Sequence, residues 1–355
     1  MGANYRILIG IIFGLVIGIG VGVLLGSMMW NEERASRSVT NSQSAPEKEL
    51  PRAADQVEVN GGVGITYESF GPVEGETVLL IGGTGMQLTA WPPDLIEKLA
   101  AQGYRVVIFD NRDVGLSARF AMSGWPNFET IDPAVKAGKA APLAYTMDDM
   151  AADAVGLLAV LGIEKAHLVG VSMGGTIAQL MAADHPERTL SLTTIMSESG
   201  NPELPMVADL EALMKVPPLT SPFSRKDYIE RQIRLSQLML SPGYPLDEEI
   251  LRKFIVREVE RAYSPAGEAR QSAAIMAAHF TDRTAKLRSI AVPAMIIHGA
   301  EDPLIPVASA SDLAAKIPNS ELRIIPGMGH DLPAALIPDF VEAIKLNASR
   351  VKGGP

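Results

Sequence analysis

One stretch constrains this chain more than any other: Leu168-Val169-Gly170-Val171-Ser172-Met173-Gly174-Gly175. An apolar-leaning run, Ala166 to Gly170, enters Gly-x-Ser-x-Gly, and a helical pattern, Thr176 to Ala183, leaves it. The order is strand, sharp turn, helix. Such a turn passes so close to itself that positions two before and two after the serine have no room for side chains. Glycine alone accepts that approach and the strained dihedrals. The expected result is a nucleophile elbow, with the Ser172 hydroxyl at the carboxyl end of a buried strand and the amino end of a helix. Free N–H groups and the helix dipole there favour negative charge. The pentapeptide alone also fits a glycine-rich turn of any doubly wound sheet, including one that cradles phosphate, so the flanks must supply partners for the serine.

The totals narrow the class. The 355 residues are 47 % hydrophobic and 20 % charged, a globular composition with an apolar excess. The net charge is −10, and Lys and Arg form no basic stripe, which disfavours nucleic acid as a partner. With no cysteine, a disulfide framework, a thiol nucleophile and a cysteine metal site are excluded.

The apolar excess lies at the amino terminus. From Ile7 to Trp30 no charged residue occurs, enough for a helix to cross a bilayer with some tilt. A cleaved signal would have a shorter apolar region and small residues before its cut. Here the run ends Ser27-Met28-Met29-Trp30, with an aromatic at the interface, and reads as an uncleaved anchor. Residues 1–30 are therefore expected to form a transmembrane segment, making this a single-pass membrane protein. A short head and a long polar tether suit a catalytic domain outside the cytoplasm. Gly10, Gly14, Gly18, Gly22 and Gly26 recur every four residues, a groove through which two such helices could self-associate. Residues 31–56, rich in Ser, Glu, Arg, Pro and Ala, read as a flexible tether.

From residue 57 strands and helices alternate. Val57 to Tyr67 reads as a hairpin around Asn60-Gly61. Strands are expected at Thr77–Ile81, Tyr104–Phe109, Lys165–Val171, Leu190–Met196, Val292–Ile297 and Glu321–Ile325. Helices are expected at Asp94–Gln102, from a Thr146 cap to about Leu161, at Ala308–Ile317 and from about Pro333 to Ala348. Residues 118–145 read as an irregular stretch over the mouth of the site. Between about 198 and 290 strands fade, prolines punctuate and helical spacing dominates, which reads as a cap inserted into the sheet. Its methionines Met206, Met214, Met239 and Met276 fit ordinary helix packing better than an adaptable pocket. The alternation argues a mainly parallel sheet with helices on both faces across 57–350, followed by a short tail at 351–355.

Two further strand ends carry chemistry. One reads His298-Gly299-Ala300-Glu301-Asp302, the other Pro326-Gly327-Met328-Gly329-His330. Each candidate partner of Ser172 lies just past an expected strand. After Thr77–Ile81 comes Gly82-Gly83-Thr84-Gly85-Met86-Gln87, which lacks the lysine of a phosphate loop and reads instead as an oxyanion loop. There a backbone N–H near Thr84 would join that of Met173 on a substrate oxygen. The charges of Asp110-Asn111-Arg112-Asp113 read as knitting a loop together, and His167, His185, His279 and His298 read as structural.

With these residues in view, the chain resembles a serine α/β-hydrolase over about 57–350. Ser172, Asp302 and His330 follow that family's order of nucleophile, acid and base. Gly299-Ala300-Glu301-Asp302 matches the family's Gly-x-x-Asp, which favours Asp302 over the adjacent Glu301. The segments 85–91 and 109–117 further resemble bacterial esterases akin to aclacinomycin methylesterase. One departure stands out: many relatives carry His-Gly where this chain has Gly82-Gly83. The resemblance implies a hydrolase of a small-molecule carboxylic ester with no cofactor; the apolar run adds the membrane anchor, and the histidines show no metal-ligand pattern. A serine nucleophile excludes chemistries that need a carboxylate there. It leaves acyltransferase, lactonase and C–C hydrolase open, because a fold does not choose among them. The intact triad argues against a binding protein that keeps the fold without activity.

Overall fold

Along the strand Thr77–Ile81 successive side chains go to opposite faces, and both faces are covered. Val78 and Leu80 join one apolar cluster, Leu79 and Ile81 the other. The computed structural model describes residues 53–218 and 224–353. The expected membrane helix, its glycine groove and the tether up to residue 52 lie outside the described residues. Among those described, no helix is long and apolar enough to cross a membrane.

In chain order the elements are β1 (Ala53–Val59), β2 (Val63–Phe70), β3 (Thr77–Ile81), α1 (Pro93–Ala101), β4 (Arg105–Phe109), α2 (Phe128–Lys136), α3 (Met147–Val160), β5 (Ala166–Val171), α4 (Met173–Asp184) and β6 (Thr189–Ile195). Then come α5 (Leu210–Leu213), α6 (Arg225–Met239), α7 (Glu248–Arg261), α8 (Pro265–His279) and α9 (Thr284–Ser289). The chain closes with β7 (Ala294–Gly299), α10 (Val307–Lys316), β8 (Ser320–Ile325) and α11 (Ile337–Ser349). One eight-stranded sheet runs β1-β2-β4-β3-β5-β6-β7-β8, antiparallel for β1 with β2 and β2 with β4, parallel elsewhere. Side chains of α1 and α11 pack on one face, those of α3, α4 and α10 on the other. Helix α3 starts on the anticipated Thr146, whose side chain and that of Asp149 cap each other's backbone.

Two boundaries differ from the sequence reading. Strand β1 starts at Ala53 rather than after residue 56, because its backbone pairs with β2 from Ala53↔Ser69 onward. The stretch 118–145 holds α2, capped by the Asn127 side chain. Pro133 inside that helix hid it, since proline removes a donor and ordinarily ends a helix. Phe128, Ile131 and Val135 of α2 pack with Leu213, Leu235, Met239 and Met276, so the cap core draws on chain from outside 198–290. Met239 and Met276 are core residues of that cluster, Met206 packs against it, and Met214 is exposed.

Candidate active site

At the elbow, Ser172 has φ 53° and ψ −121°, a left-handed conformation that a non-glycine residue takes only when its surroundings force it. The surroundings are visible at the two glycines. A Cβ on Gly170 would sit 2.2 Å from the Gly174 carbonyl oxygen, and one on Gly174 would sit 2.0 Å from that of Ile81. Both steric requirements inferred from the pentapeptide are met by backbone, not by flexible side chains. Ser197, at the end of β6, donates its hydroxyl to the Ser172 carbonyl at 2.9 Å and braces the turn.

The structure brings Ser172, Asp302 and His330 together from the ends of β5, β7 and β8. His330 Nε2 lies 3.1 Å from Ser172 Oγ, and His330 Nδ1 lies 2.7 Å from Asp302 Oδ2. An ionised carboxylate only accepts, so Nδ1 carries the proton and Nε2 offers its lone pair to the serine hydroxyl. All three are buried: Ser172 is 9 % exposed, Asp302 6 % and His330 2 %.

Asp302 is over-determined. Its Oδ1 accepts the Leu304 and Ile305 N–H groups at 2.8 and 2.9 Å. His298 presents Nε2 to the Ile305 carbonyl at 2.9 Å and to Asp302 Oδ2 at 3.2 Å. Burial alone would raise the Asp302 pKa. The His330 charge and the His298 hydrogen bond outweigh it and hold the carboxyl well below the usual carboxylate range. Glu301, the rival acid, is exposed and accepts the Gly327 N–H at 2.6 Å instead.

The glycine-rich loop after β3 lies against the elbow. A Cβ on Gly83 would be 3.2 Å from Ser172 Cβ. The Thr84 hydroxyl donates to Met173 Sδ at 3.4 Å, so both anticipated oxyanion residues meet beside the serine. Met173 opens α4, where the first N–H groups have no carbonyl in their own helix. Side chains fix the loop: Asn111 donates to the Gly82 carbonyl at 3.1 Å, Gln271 of α8 accepts the Gly85 N–H at 2.7 Å, and Asp110 accepts that of Leu88 at 2.7 Å.

The charged turn after β4 is a brace, as its sequence suggested. Asp113 accepts from Nε and Nη2 of Arg270, each at 2.7 Å, and Asp110 pairs with Arg261 at 2.8 Å. Both arginines belong to cap helices, so the loop ties cap to sheet. Beyond Gly85, a cleft of about 530 Å³ including its open mouth runs between loop and cap. Met86, Val114, Phe254 and Val259 give it an apolar wall, and Glu268 with Tyr228 and Gln232 a polar end. Among the described residues no group of His, Asp and Glu could hold a metal ion.

The remaining histidines have structural partners. His167 Nδ1 lies 2.9 Å from Ser191 Oγ, His185 is paired with Glu187 at 3.5 Å, and His279 Nδ1 lies 3.2 Å from Glu198. Sequence reasoning missed Ser197, Gln271 and the Ser241–Asp331 contact described below. No local pattern marks them, because each acts across a long sequence separation.

Comparison with known proteins decides the family: the α/β-hydrolase fold matches residues 76–333. The chain belongs to the α/β-hydrolase fold family. It is 30 % identical over 301 residues to rhodomycin D methylesterase from Streptomyces sp. (strain C5), covering 78 % of this chain and 92 % of that one. It is 27 % identical over 257 residues to a 2-hydroxy-6-oxononadienedioate/2-hydroxy-6-oxononatrienedioate hydrolase from Cupriavidus pinatubonensis, covering 72 % and 80 %. Among solved structures, a bacterial membrane phospholipase A shares the fold with a TM-score of 0.63 at 21 % identity, over 85 % of this chain and 87 % of that one. This α/β-hydrolase is an enzyme, a hydrolase of the esterase-like kind.

Proposed function

We propose that this α/β-hydrolase cleaves a small-molecule carboxylic ester through an acyl-enzyme, with Ser172 as nucleophile, His330 as general base and acid, and Asp302 as the orienting acid. The observation that carries the reading is the continuous hydrogen-bonded line Asp302–His330–Ser172 at 2.7 and 3.1 Å. The kinship to a methylesterase supports an ester as substrate.

Ser172 Oγ attacks the acyl carbon while His330 Nε2 takes its proton. The carbonyl oxygen becomes an oxyanion facing the N–H groups of Met173 and Thr84. As the oxyanion collapses, the bond to the leaving oxygen breaks and His330 returns the proton to it, releasing the alcohol. A water, deprotonated by His330, then attacks the acyl-enzyme, and Ser172 leaves with the proton. Asp302 holds the imidazole in the required tautomer and stabilises its cation. No cofactor enters these steps.

The run from Ile7 to Trp30 supports the further reading that the enzyme is held at a membrane, and the short head with its long polar tether supports a catalytic domain outside the cytoplasm. Retention of the full chain in alkaline-washed membranes tests the anchor, and release by the wash refutes it.

The relative that acts on a 2-hydroxy-6-oxo acid favours C–C cleavage as the second reading. One experiment separates them. Acid quench of the full-length enzyme with a nitrophenyl ester leaves the acyl mass on the peptide containing Ser172 if the ester reading holds. No adduct and no turnover, with turnover of a vinylogous diketone instead, would replace it.

A further inference from the structure

The loop carrying His330 is gripped from two sides. On the sheet side, Glu301 accepts the Gly327 N–H at 2.6 Å. On the cap side, the chain leaving α6 lies directly on the loop. The His330 N–H donates to the Met239 carbonyl at 2.8 Å, and the Gly243 N–H donates to the Gly327 carbonyl at 2.9 Å. The fit leaves no room for side chains. A Cβ on Gly329 would meet the Met239 carbonyl oxygen at 2.7 Å, and one on Gly327 would meet Gly243 Cα at 2.9 Å.

At the centre of this contact is one hydroxyl. Ser241 Oγ accepts the Gly329 N–H at 2.8 Å and donates to Asp331 Oδ1. Ser241 and Asp331 are 1 % and 5 % exposed. A single cap serine therefore binds the residue before His330 and the residue after it. The triad geometry does not require this, because His330 already has Asp302 and Ser172 at its two nitrogens.

We propose that Ser241 and Asp331 are positioning residues for His330: the chain Gly329–Ser241–Asp331 sets the reach of the imidazole to Ser172 and makes it depend on a seated cap. This rests on His330 being the general base. A hydroxyl that both accepts and donates fixes the loop in direction as well as distance, and small misplacements of a proton acceptor are costly.

Charge adds a second signature. Burial pushes the Asp331 carboxyl up to about 6, with Ser241 and His330 pulling it down and the Asp302 charge pushing it further up. His330 and Asp302 are the titratable groups that act on it, and Ser241 on the cap side does not titrate. Above that pH Asp331 adds a negative charge beside His330.

The test is the rate at which a fluorophosphonate probe labels Ser172 in the full-length enzyme, measured against probe concentration and pH. Ser241→Ala is expected to lower the maximal labelling rate about tenfold with little change in probe affinity, and Ser241→Thr to restore most of it. Asp331→Asn keeps the acceptor but loses the charge, and is expected to move the acid limb of the labelling rate to lower pH. Should Ser241→Ala not fold, the acid limb of Asp331→Asn decides. A wild-type maximal rate in Ser241→Ala, or an unmoved acid limb in Asp331→Asn, would overturn the proposal. His330→Ala, run alongside, is expected to abolish labelling. If it does not, the general-base reading falls instead.

Discussion

Gly83 and Ser172 stand in near contact: a methyl group on Gly83 would lie 3.2 Å from the serine Cβ, 3.8 Å from its Oγ and 3.3 Å from the Val171 carbonyl oxygen. The serine cannot retreat, because the elbow pins it at positive φ. Gly83→Ala is therefore expected to leave folding largely intact while lowering kcat/KM on a nitrophenyl ester about tenfold or more. Steady-state kinetics beside a thermal unfolding curve check this. Unchanged kinetics would mean the loop and nucleophile are less closely fitted than the structure has them.

Asp302→Asn offers His330 an amide in place of a carboxylate and favours the wrong imidazole tautomer. The expected loss in kcat is about 10⁴-fold, with KM much less affected. His298→Ala should cost less, since it removes only one of the groups holding Asp302. Equal losses in the two variants would assign His298 a direct part in the reaction.

Glu198 is the buried anion of a second site of charge. Its Oε1 accepts from Arg283 at 2.7 Å and its Oε2 lies 3.2 Å from His279, joining the end of β6 to α8 and the chain after it. Burial opposes its charge, but Arg283 and His279 prevail and hold the carboxyl well below the ordinary range. A depressed folded-state pKa contributes stability above the unfolded value and loses it as pH falls through the folded one. Glu198→Ala leaves Arg283 buried without its carboxylate and is expected to cost about 3–5 kcal/mol at neutral pH. Urea unfolding at pH 7 and pH 4 measures it, and the deficit should shrink at the lower pH.

Asp331 gives the opposite sign. Its pKa rises from 3.8 to about 6 on folding, so its contribution is greatest below the unfolded value and is lost as pH rises towards 6 and beyond. Asp331→Asn should thus gain about 2 kcal/mol relative to the parent between pH 4 and pH 8. A constant difference across that range would show that the carboxyl titrates normally.

How much of this was legible in the sequence follows from how local each constraint is. The elbow was, because its glycines answer clashes with Gly174 and Ile81 that any such turn creates. The strands were, since β3 and β5 are buried on both faces and written in mainly apolar runs, with Thr77 and His167 the polar exceptions. Asp302 and Glu301 are chemically alike and adjacent. The family's Gly-x-x-Asp favoured the first, and the local turn aims Asp302 inward and Glu301 at Gly327. Helix α2 stayed hidden behind Pro133, and its burial comes from cap residues distant in sequence. Ser241 and Asp331 are separated by 90 positions, and nothing near either residue marks the contact.

The most direct test of the central claim is hydrolysis of nitrophenyl esters from acetate to palmitate by the full chain, with Ser172→Ala in parallel. The account predicts turnover by the parent, with a chain-length optimum set by the room under the cap. It predicts a loss of at least about 10⁴-fold in the variant. Equal activity in both proteins would mean that Ser172 is not the nucleophile, and would contradict the mechanism at its first step.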